Sequence, residues 1–69
     1  ARARVWDSLQ AVERAVTRLY PEVTVDIAGD KALSARVERQ DLDEMLGNLI
    51  ENAAKYGGGR VFVTAEAEA

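Results

Sequence analysis

Asp41-Leu42-Asp43-Glu44-Met45-Leu46-Gly47-Asn48-Leu49-Ile50-Glu51-Asn52-Ala53-Ala54-Lys55-Tyr56-Gly57-Gly58-Gly59 is the stretch on which the fold turns. Leu42, Met45, Leu46, Leu49, Ile50 and Ala53 recur at spacings of three and four, which predicts one apolar helical face from about Gln40 or Asp41 to Tyr56. Asp41 with Glu44 three residues on has the form of a capping box. Gly57, just past the last turn, supplies the left-handed residue a helix end prefers. At about 100° per residue, Glu44, Asn48, Asn52 and Lys55 fall within an arc of about 80° beside the apolar face, with Tyr56 at the border.

Outward from this helix the period changes twice. On the N-terminal side, Leu33, Ala35 and Val37 alternate with Ser34, Arg36 and Glu38, and Val23, Val25 and Ile27 alternate with Thr24, Asp26 and Ala28. Each run predicts a half-buried strand. The turn chemistry of Gly29 and Asp30 between them predicts an antiparallel hairpin. Further back, Leu9, Val12, Val16 and Leu19 predict an amphipathic helix from about Asp7 to Leu19, ended by Pro21, with Asp7 as N-cap and Trp6 as its staple. C-terminal to the glycines, Arg60 to Ala65 alternates as a third strand. The order helix, strand, strand, helix, strand predicts an α+β two-layer sandwich, with two helices over one face of a small sheet.

Composition narrows the functional classes. The chain has 69 residues with 9 Lys plus Arg, 12 Asp plus Glu and a net charge of −3. Its charges are interspersed and give no basic face to track a nucleic acid. No apolar run approaches a bilayer span, so no membrane contact is expected of this segment. There is no His and no Cys, which excludes disulfides and thiolate zinc sites and fits a cytoplasmic setting. Ordering the chain costs on the order of 100 kcal/mol of conformational entropy, opposed by one small core. Its last strand leaves a sheet edge open. Both points predict a truncated unit or a homo-oligomer formed through that edge.

Two Asn one turn apart in a helix interior have poor propensity and supply no core packing. A local rule broken without compensation marks a functional position. Bland roles exist beside this one. Glu44 can serve only the capping box, Lys55 can answer the helix dipole, Tyr56 can pack at the core's edge, and Glu51 can be merely solvated. Trp6 reads as a packing anchor and Met45 as core.

The run Leu46-Gly47-Asn48-Leu49-Ile50-Glu51-Asn52-Ala53-Ala54-Lys55-Tyr56-Gly57 resembles the N box in the ATP-binding domain of sensor histidine kinases, nearest the PhoQ type. Their superfamily also holds the gyrase and MutL ATPases and the anti-sigma serine kinases. The helix and two strands ahead of it are similar to the way that domain opens. The resemblance implies that the 69 residues are the N-terminal half of a Bergerat-type ATP-binding fold. It implies Asn48 as a Mg²⁺ ligand through its amide oxygen, Asn52 as a hydrogen-bonding partner of the nucleotide, Lys55 as a charge on the phosphates and Tyr56 as a wall for the adenosine. Glu44 takes the place of the acidic residue that activates water in the ATPase relatives.

The cofactors implied are ATP and Mg²⁺. The partners implied are a His-containing dimerisation domain of the parent and a response regulator, with the domain on the cytoplasmic side of an inner-membrane sensor. The family's Asp-Gly-rich adenine motif, lid and second Gly-rich turn are not in these residues, so the segment alone is expected to be inactive. Two rivals stand: a fragment of another ATPase or serine kinase of the superfamily, and a small dimeric interaction module without nucleotide.

Overall fold

The computed structural model describes residues 2–56 and 58–66. In chain order the elements are β1 (Ala3–Arg4), α1 (Val5–Leu19), β2 (Thr24–Gly29), β3 (Ser34–Ala35), α2 (Arg39–Tyr56) and β4 (Arg60–Ala65). The described residues form a small α+β domain with two helices and two small sheets, in agreement with the mixed class the sequence implies.

Both helices form on their periodic stripes. Leu9, Val12 and Val16 are buried on α1, and Leu42, Ile50 and Ala54 on α2. The first group and the last two meet Val23, Val25, Val61 and Ala65 in one core. Leu9 and Ile50 are its most completely enclosed large side chains, each 1% exposed. Pro21 follows directly on the last turn of α1, where the Tyr20 N–H still donates to the Val16 carbonyl at 2.8 Å.

The two N-caps differ from expectation. α1 begins two residues earlier than Asp7, with Arg4 as N-cap and no side-chain cap bond. Trp6 is thus inside the helix, half-buried, with the Lys31 ammonium 5.4 Å from its ring centroid. α2 begins at Arg39, and the Leu42 N–H donates to the Glu38 carbonyl at 3.0 Å, so Asp41 lies within the first turn and is not a capping-box N-cap. In both places an acid in the first turn still complements the helix dipole. The Gly57 cap lies outside the described residues.

The sheet departs further. β2 and β3 do not form a hairpin. β2 pairs in parallel with β4, from Thr24 opposite Arg60 to Gly29 opposite Ala65, and β3 is only two residues long and pairs antiparallel with β1. An Asx turn, with the Ala32 N–H on Asp30 Oδ1 at 2.9 Å, redirects the chain, and the Val5 N–H on the Leu33 carbonyl at 2.9 Å ties it to the start of α1. Period-two alternation identifies a strand but is silent on its partner. Here the more apolar β4 takes the place beside β2, and a parallel pair requires a crossover, which α2 supplies.

Glycine is required at the end of this pairing. Gly29 has φ +125° and an added Cβ would stand 2.1 Å from the Ala65 carbonyl oxygen. Gly47, in the middle of α2, has nothing within 4 Å of that position. Gly29→Ala should therefore cost at least about 3 kcal/mol, from left-handed strain plus a backbone overlap. Gly47→Ala should add about 0.5–1 kcal/mol through helix propensity alone. Thermal unfolding followed by circular dichroism should show opposite shifts for the two variants.

Candidate functional site

Because Leu42, Ile50 and Ala54 face inward, the opposite side of α2 faces water. Glu44, Asn48, Asn52, Lys55 and Tyr56 are all exposed. The helix thus brings all five residues expected to be functional onto one surface, where Asn48 and Asn52 rise about 6 Å apart along the axis. Among the described residues, none of the five has a side-chain hydrogen bond or ion pair to another protein group. Their donors and acceptors are available to an external partner.

Three of the residues assigned to the apolar stripe or its border behave otherwise. Met45 is 61% exposed, Leu49 63% and Tyr56 84%. Met45 is not core, and Tyr56 does not pack at the core's edge. α2 packs on α1 as well as on the sheet, and its covered arc is turned toward α1, taking in Asp43, Gly47 and Glu51, all half-buried. The opposite edge of the apolar stripe is therefore left outside. Leu46 and Ala53 are partly buried, and Met45 and Leu49 fall outside. They lie next to Asn52 and Tyr56 on the wheel, so the exposed face has an apolar strip beside a carboxamide strip. Sequence reasoning missed this apolar wall, because the rotation of α2 is set by its contact with α1 and not by its own apolar stripe.

The flank of α2 nearest α1 has a different chemistry. Ser8, fully enclosed, donates its hydroxyl to Asp43 Oδ1, and Arg39 Nε meets the same oxygen at 2.8 Å. Arg39 Nη2 also donates to the Asp7 carbonyl at 3.2 Å, and the Tyr20 hydroxyl donates to Glu51 Oε1 at 3.2 Å. Glu51 is therefore a half-buried link between the helices and not a solvated residue. Between these links lies a groove of about 280 Å³, lined by Ala11, Ala15, Leu19, Gly47 and their neighbours. It lies on the flank of α2 that faces α1, about 100° around the helix from Asn48 at Gly47, and contributes none of the five site residues.

Neither feature is a metal centre by itself. Among the described residues no three His, Cys, Asp or Glu side chains converge. The Asn48 amide oxygen is a hard donor that suits Mg²⁺ when phosphate and water complete the shell, because Mg²⁺ keeps most of its waters and takes few protein ligands. Comparison with known protein families, with characterised proteins and with solved structures found no match to this chain.

The Ser8 hydroxyl and then the Arg39 guanidinium hold the Asp43 carboxyl below its ordinary value of 3.8. A carboxylate favoured in the folded state adds stability above the unfolded value, and that contribution is lost as pH falls through the folded one. Stability should decline below about pH 4, and Asp43→Asn should flatten that acid limb while lowering stability at neutral pH. Urea unfolding across the acid range measures both effects.

Proposed function

We propose that this chain is part of the ATP-binding domain of a sensor histidine kinase, specifically the part that carries the N box. The observation that carries the reading is the joint exposure of Asn48, Asn52, Lys55 and Glu44 on one unpartnered face of α2. Helix Asn residues with no structural task are costly by propensity and are accounted for by a ligand. The apolar strip of Met45, Leu49 and Tyr56 supports it further, since a nucleoside needs an apolar wall beside the groups that hold its phosphates.

In this reading each residue has one task. The Asn48 carboxamide oxygen ligates Mg²⁺, and the Asn52 carboxamide hydrogen-bonds the nucleotide. Lys55 sets a compact positive charge against the phosphates, and the Tyr56 ring lies against the adenosine. Glu44, about 6 Å before Asn48 along the helix, is the acid on hand to hold a proton or orient a water. ATP supplies the transferable phosphoryl group, and Mg²⁺ neutralises charge on the phosphates. The protein's share of such a reaction is positioning and charge stabilisation.

The acceptor is a histidine on another domain of the parent protein, because this chain has no His, and a response regulator is the onward partner. The parent works on the cytoplasmic side of the membrane. These 69 residues provide one wall of the site and are inactive in transfer alone.

NMR titration of the chain with Mg-ATP tests the reading. Saturable shifts should appear along the exposed face from Glu44 to Tyr56, with a millimolar dissociation constant, about −4 kcal/mol. They should weaken without Mg²⁺ and vanish in the Asn48→Ala, Asn52→Ala double variant, whose circular dichroism stays native. Shifts that persist in that variant, or none at saturating nucleotide, overturn the proposal. Micromolar affinity would contradict the one-wall account.

A further inference from the structure

The groove between α1 and α2 holds about 280 Å³ of open space, with the small residues Ala11 and Ala15 of α1 and Gly47 of α2 in its walls. Leu19, 68% exposed, forms part of its rim. α1 packs on β2 and α2 on β4. The groove is therefore bounded by two helices described from end to end, and α2 stands between it and the outer edge of β4. Polar links close its ends, Ser8 and Arg39 on Asp43 at one and Tyr20 on Glu51 at the other.

Two features of this groove go beyond what the packing of the helices requires. Gly47 lies in the interior of α2, where glycine is less favourable than alanine. It has no left-handed φ, and an added Cβ would meet nothing within 4 Å. Neither conformation nor packing calls for it, and what its missing side chain preserves is the depth of the groove. The second feature is Glu51. A carboxylate offers about four lone-pair sites, and the Tyr20 hydroxyl engages one of them at 3.2 Å. Asp43 at the other end is paired with Arg39. Glu51 is half-buried and, among the described residues, has no ion pair, not even with Lys55 four residues on.

We propose that this groove binds a small aliphatic cation, a primary ammonium on an unbranched hydrocarbon chain. The ammonium meets the unused acceptor sites of Glu51, where charge strengthens the hydrogen bond. The chain runs from there past Ala15, Gly47 and Ala11 toward Asp43 and shields the rim at Leu19. Gly47 and Glu51 are about 6 Å apart along the helix axis, so a few methylene groups cover the apolar floor. An apolar concavity with a small number of placed polar groups is the usual form of a small-molecule site. Glu51 repels an anionic ligand, and an alcohol gains the apolar contact alone. None of these groups is among the five assigned to nucleotide, so the inference does not rest on that reading.

NMR titration of the whole chain at low ionic strength with hexylammonium, hexanol and hexanoate compares three head groups on one tail. Hexylammonium should give saturable shifts at the amides of Ala11, Ala15, Gly47 and Glu51. Hexanol should bind about tenfold more weakly, and hexanoate should not bind. Glu51→Gln keeps an acceptor for the Tyr20 hydroxyl and removes the charge, so it should bring hexylammonium down to the affinity of the alcohol. Gly47→Leu fills the groove on a helix that favours leucine over glycine, and it should abolish both interactions while circular dichroism stays native. Equal affinities for amine and alcohol, an unchanged hexylammonium affinity in Glu51→Gln, or binding that persists in a folded Gly47→Leu variant would overturn the proposal. So would hexylammonium that gives no saturable shifts in the groove. The head-group series and Glu51→Gln decide the matter even where Gly47→Leu fails to fold.

Discussion

The parallel pairing of β2 with β4 is the constraint from which the rest of the structure follows. Two strands pointing the same way cannot be joined by a tight turn, so the chain between them must travel the length of the sheet and return. α2 makes most of that journey. Its inward face is dictated by the valines it has to cover, and Ile50 and Ala54 answer Val25 and Val61 in one core. Once that face is fixed, 3.6 residues per turn leave no choice for Asn48 and Asn52, which are carried to the outside.

α1 holds α2 at its rotation. Leu9, Val12 and Val16 supply the apolar part, and the polar part is a small set of cross-helix bonds. The Ser8 hydroxyl and the Arg39 guanidinium converge on Asp43, while Arg39 also reaches the Asp7 carbonyl. Tyr20 to Glu51 closes the other end. Ser8 needs this arrangement more than the charged groups do, since a fully enclosed hydroxyl without an acceptor would carry an uncompensated desolvation cost. The ion pair itself is largely solvated and adds little. Its geometric role is to key one helix face to the other, so that the two carboxamides point outward together.

How far the sequence reaches differs from element to element. The two helices and β4 are legible because their periods are long and clean, and β4 has the bounds that alternation gives from Arg60 to Ala65. The helix starts are less so, because Arg4 and Glu38 carry no side-chain capping signal, whereas Asp7 and Asp41 carry one and sit inside the first turn. Strand pairing is not legible at all: Leu33 to Val37 alternates well, yet only Ser34 and Ala35 enter a ladder, with β1. A partner is chosen by the burial that each pairing permits, and that is a property of the whole chain. For the candidate site, a shared face for Glu44, Asn48, Asn52 and Lys55 follows from helical spacing. The exposure of Met45, Leu49 and Tyr56 depends on how much of α2 its neighbours happen to cover.

Gly29, with only a hydrogen directed at the Ala65 carbonyl, has a consequence for the alignment of the domain. At that φ any side chain would be driven into the neighbouring strand, so the position admits no residue with a Cβ. Gly29 is also the last residue of β2 to pair with β4. The smallest residue in the sheet thereby acts as an end stop for the parallel ladder.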